Sequence, residues 1–199
     1  MRVEFYYDLV SPYSYLAYGQ LGRICEVHGA ALVLRPMLLG AVHKEAGIKA
    51  PIETKLKAGY QARDIHRWAE YYGVPLRFPD PFPFRTLKTM RAAMFLRERG
   101  ELKAFTDAAF ALYWEEGGAP KGIEEIDEDA PISVVARRIG ADPEAVLEGA
   151  ASQGAKQDLK NATSEALRRG VFGAPTFFVG EEMFWGNDRL HFVEAALQE

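Results

Sequence analysis

The sequence predicts a mixed α/β fold, with one sheet domain assembled from the two ends of the chain and an all-helical block inserted between them. Three observations predict it. Residues Arg2 to Tyr7 alternate, with Val3, Phe5 and Tyr7 on one side and Glu4 and Tyr6 on the other. That is the period-two pattern of a strand, and its aromatic and β-branched residues suit one. Near the other end, Thr176-Phe177-Phe178-Val179, a Gly180-Glu181 turn and Met183-Phe184-Trp185 read as a β-hairpin. Between them, from about Ala41 to Gln153, apolar residues recur at helical spacing with no strand pattern intervening.

Taken in order, the first strand is followed by the turn Asp8-Leu9-Val10-Ser11-Pro12. Ser11 stands where a helix N-cap belongs, with Pro12 at the first helical position. Leu21, Ile24, Cys25 and His28 continue one helical face, and Gly29 ends it. Ala31 to Leu34 reads as a second buried strand stopped by Pro36, and the connection is long enough for a parallel pair. In the helical block, Ile65, Trp68, Ala69 and Tyr72 share a face, as do Leu87, Met90 and Met94, and then Leu102, Phe105, Ala109 and Leu112. Shorter helices start near Pro131 and at Asp142-Pro143, where Asp is a good cap and Pro a good first residue. A helix from roughly Ala155 to Arg169 leads into the hairpin, and Asn187 or Asp188 is expected to cap a last helix carrying Leu190, Val193 and Leu197. Together, β-α-β at one end and α-β-β-α at the other make a thioredoxin-like topology. Residues 1–40 plus 155–199 form that domain, and residues 41–154 form the inserted α-helical domain.

Composition bounds the function. The chain has 199 residues, 48% hydrophobic and 26% charged, with a formal net charge of −4. That balance suits a globular chain. The basic residues are scattered, so no nucleic-acid footprint appears, and no apolar run is long enough to span a membrane. Strand-like residues begin at Arg2, leaving no room for a signal peptide, so a cytoplasmic location is expected. Cys25 is the one cysteine, which excludes an internal disulfide and a CxxC redox pair. It lies over three helical turns from Ser11 and reads as a buried structural residue. His28, His43, His66 and His191 show no ligand spacing, so no metal is expected.

Three segments can carry chemistry. Ser11-Pro12-Tyr13-Ser14 sits at the junction of the first strand and helix, where a thioredoxin-like fold places its CxxC motif. Both cysteine positions are serines. A hydroxyl cannot cycle through a disulfide, but at a helix N-terminus it can donate to another molecule's thiolate; Ser before Pro also serves as a plain cap. Val171-Phe172-Gly173-Ala174-Pro175-Thr176 leads a proline into a strand after a Gly-Ala turn, a candidate cis bond facing the active turn. It also reads as an ordinary turn. Phe184-Trp185-Gly186-Asn187-Asp188-Arg189 ends a strand and opens a helix, offering N–H donors to a carboxylate, though capping alone explains it.

The three segments occur together in one topology. With Phe5-Tyr6-Tyr7-Asp8, Leu34-Arg35-Pro36, Arg67-Trp68 to Pro75 and Phe78-Pro79, they resemble the 2-hydroxychromene-2-carboxylate isomerases, relatives of DsbA and of the kappa-class glutathione transferases. The resemblance runs essentially end to end. It implies glutathione as thiol cofactor, its sulfur beside Ser11, its cysteinyl part paired at Ala174 next to Pro175, and its γ-glutamyl end near Trp185, Gly186, Asn187 and Asp188. It further implies a homodimer and a small aromatic substrate. A hydroxyl donor and a helix N-terminus both favour thiolate over thiol. Two positions depart from the family pattern. Ile48 stands where an asparagine is common, removing a hydrogen-bonding side chain. Arg85 also replaces an asparagine; it is suited to gripping a substrate carboxylate, or is a solvated helix-start residue. Lys44 is a further candidate for ligand carboxylates. Pro75 to Phe84 reads as an aromatic pocket wall or as core, and Glu124 to Asp129 as a solvated acidic loop.

Four functions stay open at this level: glutathione-dependent cis–trans isomerisation; conjugation or peroxide reduction of the kappa type; DsbA-like disulfide exchange, disfavoured by Ser11 and Ser14; and ligand binding without catalysis.

Overall fold

The first strand, β1 (Arg2–Tyr7), is buried along Val3 to Tyr7, so its alternation sorts residues between two apolar layers rather than between core and solvent. In a computed structural model, which describes residues 1–49, 55–80, 82–118 and 128–198, Val3, Phe5 and Tyr7 join the larger core. Tyr6 faces a smaller core with Met37, Val42, Val171 and Phe178.

Around β1 the sheet order is β2-β1-β3-β4. Strand β2 (Ala31–Pro36) runs parallel to β1, from Arg2 opposite Ala31 to Tyr7 opposite Pro36. Strand β3 (Thr176–Val179) runs antiparallel to β1, and β4 (Glu182–Trp185) antiparallel to β3, closing the expected hairpin. Helix α1 (Pro12–Val27) crosses between the parallel strands, and Gly29 adopts φ 59° just past its end. This is the thioredoxin-like arrangement.

The helices between the sheet halves are α2 (Leu39–Glu45), α3 (Lys55–Tyr72), α4 (Leu87–Arg97), α5 (Leu102–Phe110), α6 (Asp129–Arg138) and α7 (Pro143–Ala151), followed by α8 (Gln153–Arg168). Asp142 and Ser152 cap α7 and α8 through their side chains. Helix α5 continues into a π-helical turn, Ala111–Glu115, which the apolar spacing did not foretell; it carries the buried Leu112, Tyr113 and Trp114. Phe105, Phe110, Trp114, Met90 and Met94 share one continuous core with the odd-numbered side chains of β1. The Tyr7 hydroxyl shares a 2.7 Å hydrogen bond with Thr106 across that core.

Two local expectations are corrected. Neither Asn187 nor Asp188 caps the last helix with its side chain: Asn187–Arg189 is a 3₁₀ turn after Gly186 (φ 101°), and α9 (Leu190–Ala196) starts beyond it. In the acidic run, residues 124–127 lie outside the described residues, but Glu128 and Asp129 are not a solvated loop. The Glu128 carboxylate accepts the Lys88 and Thr89 backbone N–H groups at the start of α4, and Asp129 pairs with the Lys88 ammonium. The unpaired N–H groups of a helix start attract a carboxylate from any part of the chain that can reach them.

On the even face of β1 the Glu4 carboxylate is buried between Arg35 (2.6 Å) and Arg169 (3.0 Å). Burial alone would raise this carboxyl, but the two guanidinium groups more than offset it and hold it below the ordinary glutamate value. A carboxyl lowered on folding contributes stability that is present above its unfolded pKa and lost as pH falls through the folded one. Glu4→Gln is therefore expected to lower the melting temperature at neutral pH and to flatten its fall below about pH 4, near the ordinary glutamate value. Parallel acid limbs for the two proteins would contradict this.

Candidate active site

The site grows from the end of β1. The chain turns at Asp8, whose carbonyl accepts the Ser11 N–H at 3.0 Å, and Ser11 enters α1 with extended backbone (φ −85°, ψ 112°). Its Oγ accepts the Ser14 N–H at 3.2 Å and donates to the Ala174 carbonyl, also at 3.2 Å. One atom therefore both caps the helix and ties it to the segment that precedes β3. The Ala174–Pro175 bond is cis. The segment around it is tied down by Thr176 Oγ1 donating to Gly173 O (2.8 Å) and by Gly186 N–H donating to Pro175 O (3.0 Å). Ser14 is fully buried, and its hydroxyl has no partner among the described residues.

Ser11, Ala174, Trp185 and Arg85 line one cavity of about 1000 Å³. Trp185 is half-exposed and packs on Phe172, ring centroids 4.9 Å apart. Gly173 lies under its indole, where a Cβ would come within 2.6 Å of Nε1. Phe82 and Phe84 form a further wall, and with Phe78 they also surround Trp114 in the core. The Pro- and Phe-rich stretch is thus both pocket wall and core, its Pro81 lying outside the described residues. Ile48 sits in the wall as an apolar surface.

Lys44 is exposed on α2 and does not line this cavity, whereas its neighbour His43 does, with Lys49 and Lys57. Successive helical residues point about 100° apart, so only one of the pair can face inward. Four basic residues, His43, Lys49, Lys57 and Arg85, thus border an otherwise largely apolar space whose one lining carboxylate, among the described residues, is Asp8. Asp8 is 1% exposed and accepts three hydrogen bonds. Sequence reasoning passed over it as a turn residue; its place directly after a buried strand was the available signal.

Asn187 and Asp188 line a second concavity, of about 790 Å³, between α1, α3 and the segment from Asn187 to Glu194. Asn187 is buried, its carbonyl accepts the Tyr72 hydroxyl at 2.9 Å, and its Nδ2 has no partner among the described residues. Asp188 is exposed and pairs with Arg189. The two concavities meet at Tyr13, whose residue lines the first and whose hydroxyl donates to Asp64, which lines the second, at 2.8 Å. Burial and the Asp64 carboxylate push the Tyr13 phenol well above its ordinary value, so it stays protonated.

Elsewhere Cys25 is buried, and burial raises its thiol. Among the described residues no group of three or more His, Cys, Asp or Glu is placed to hold a metal, and no helix is long and apolar enough to cross a membrane.

Residues 2–198 match the family model of the DSBA-like thioredoxin domain. A 2-hydroxychromene-2-carboxylate isomerase from Pseudomonas putida is 33% identical over 99% of this chain and 94% of its own. A solved structure of a 2-hydroxychromene-2-carboxylate isomerase superposes with a TM-score of 0.85 at 32% identity, covering 100% of this chain and 95% of the other. More distantly, glutathione S-transferase kappa 1 of Caenorhabditis elegans is 28% identical over 100% of this chain and 91% of its own. The chain belongs to the DSBA-like thioredoxin family, and within it to the 2-hydroxychromene-2-carboxylate isomerases.

Proposed function

We propose that this protein is a glutathione-dependent cis–trans isomerase that converts 2-hydroxychromene-2-carboxylate to trans-o-hydroxybenzylidenepyruvate in aromatic catabolism, as a cytoplasmic homodimer. The observation that carries the reading is the Ser11 hydroxyl at the N-terminus of α1, hydrogen-bonded to the Ala174 carbonyl at the edge of an apolar cavity bordered by basic residues.

The residues present suit glutathione. Ser11 and the first turn of α1 favour an anion, and the backbone of Ala174 before Pro175 suits a peptide, while Asn187 and Asp188 line the adjoining concavity rather than this cavity. Bound there, glutathione would supply a thiolate nucleophile for reversible addition to a conjugated carbonyl compound, with no net redox change. The chain's own part is positional and electrostatic. Ser11 turns its hydrogen from the Ala174 carbonyl toward the sulfur, releasing that carbonyl to accept an amide N–H. Arg85 holds the substrate carboxylate, and Phe82, Phe84 and Trp185 enclose the aromatic ring and exclude water.

A second reading keeps Ser11 and glutathione but assigns transferase or peroxidase chemistry, favoured by the full-length likeness to the kappa-class relative. Disulfide exchange is not supported, since Ser11 and Ser14 occupy the thiol positions and Cys25 is buried. Calorimetric titration with glutathione, followed by isomerase turnover assayed with and without it, separates these readings. Saturable binding with glutathione-dependent turnover is expected. Binding without isomerase turnover would favour the transferase reading, and no binding would sink both.

A further inference from the structure

We propose that Asp8 is a positioning residue that holds three walls of the cavity in one register, a role resting on the function proposed above. Its two oxygens accept three donors from three separate parts of the chain. Oδ1 takes the Val10 N–H (3.2 Å) and the Thr86 hydroxyl (2.7 Å), and Oδ2 takes the Leu39 N–H (2.8 Å). Each donor adjoins a group that faces the cavity. Val10 precedes Ser11, Thr86 follows Arg85, and Leu39 opens the helix that carries His43.

Thr86 shows how far the chain departs from local habit to make this junction. It stands directly before α4, where a threonine hydroxyl ordinarily caps its own helix, yet its side chain makes no capping bond. Glu128, remote in sequence, accepts the α4 N–H groups instead, leaving the Thr86 hydroxyl to Asp8. Burial pushes the Asp8 carboxyl above its ordinary value, while the three donors act in the opposite direction.

An asparagine cannot replace it. Only one amide atom accepts, so either the Leu39 N–H or the Val10 N–H would face an amide N–H. Glutamate adds a methylene where Asp8 has almost no exposed surface.

The test uses the full chain and three variants, Thr86→Val, Thr86→Ser and Asp8→Asn, read by steady-state isomerase kinetics, glutathione calorimetry, melting, and the backbone amide shifts of Ser11 and Arg85. Thr86→Val severs only the Arg85 side. It is expected to raise KM for the aromatic carboxylate roughly tenfold with glutathione affinity within twofold, and Thr86→Ser to restore KM. Asp8→Asn is expected to lower kcat/KM about 10²-fold, the scale of an ångström-sized misplacement, and to shift both amides. Unchanged amide shifts, or losses that track only the folded fraction with KM unaltered, would overturn the role of Asp8. A wild-type protein that neither binds glutathione nor turns over would overturn the functional reading instead, while the amide shifts report on Asp8 regardless of activity.

Discussion

Ser11→Ala is expected to lower glutathione-dependent turnover by about 10²–10³-fold, the loss seen when one donor to a developing or stabilised anion is removed from a preorganised site. The same change removes the Oγ that accepts the Ser14 N–H, which costs about 1 kcal/mol of stability as a lost helix cap. Ser11→Asp separates the two effects. Aspartate caps as well as serine, but it sets a negative charge against the Ala174 carbonyl and against any thiolate beside it. Stability within about 1 kcal/mol of wild type, with turnover as low as in Ser11→Ala, is therefore expected for it. The ultraviolet absorbance of bound glutathione thiolate should fall in both variants. If Ser11→Ala kept wild-type turnover and thiolate signal, Ser11 would be a cap and nothing more.

Trp114→Ala is expected to destabilise the fold by about 3–5 kcal/mol, the range for deleting a large buried aromatic side chain. Trp114 is fully buried, with the Phe82, Phe78 and Phe84 rings at centroid distances of 5.6, 5.8 and 5.9 Å. Its Nε1–H donates to the Leu9 carbonyl at 2.8 Å, in the turn that leads to Ser11. The side chain thus joins the helical block, the cavity wall and the active turn. Trp114→Phe keeps most of the apolar contact but strands the buried carbonyl, a loss of about 1–3 kcal/mol. Denaturant unfolding of the three proteins checks both values, and a loss under about 1 kcal/mol for Trp114→Ala would contradict the packing described.

Much of the fold was legible because it is written in short-range periodicities. The bounds of β1, the Ser11-Pro12 entry into α1, the hairpin from Thr176 to Trp185 and the cap at Asp142 each follow from a few adjacent residues. Ser152 caps α8, which starts two residues before the apolar pattern begins at Ala155. At the site, Ser11, Ala174 and Trp185 fall on one cavity, because their three segments sit at strand ends on the same end of the sheet. The side-chain direction of Lys44 and the burial of Asp8 were not legible, since each depends on elements far away in sequence. The same holds for Asn187 and Asp188, which the local string marks as helix caps and which the packing of α3 turns toward a separate concavity.

The amino-acid order alone determined the strands and most of the helices, their sequence along the chain, and the replacement of two thiols by hydroxyls at the start of α1. Tertiary structure alone decided that Asp8 gathers Val10, Leu39 and Thr86, that Glu128 relieves Thr86 of capping α4, and that Tyr13 and Asp64 stand between two concavities. Backbone propensity and side-chain periodicity act over a few residues and leave a readable trace. A hydrogen bond between groups dozens of residues apart is set by how whole elements pack, and neither partner's neighbours in sequence record it.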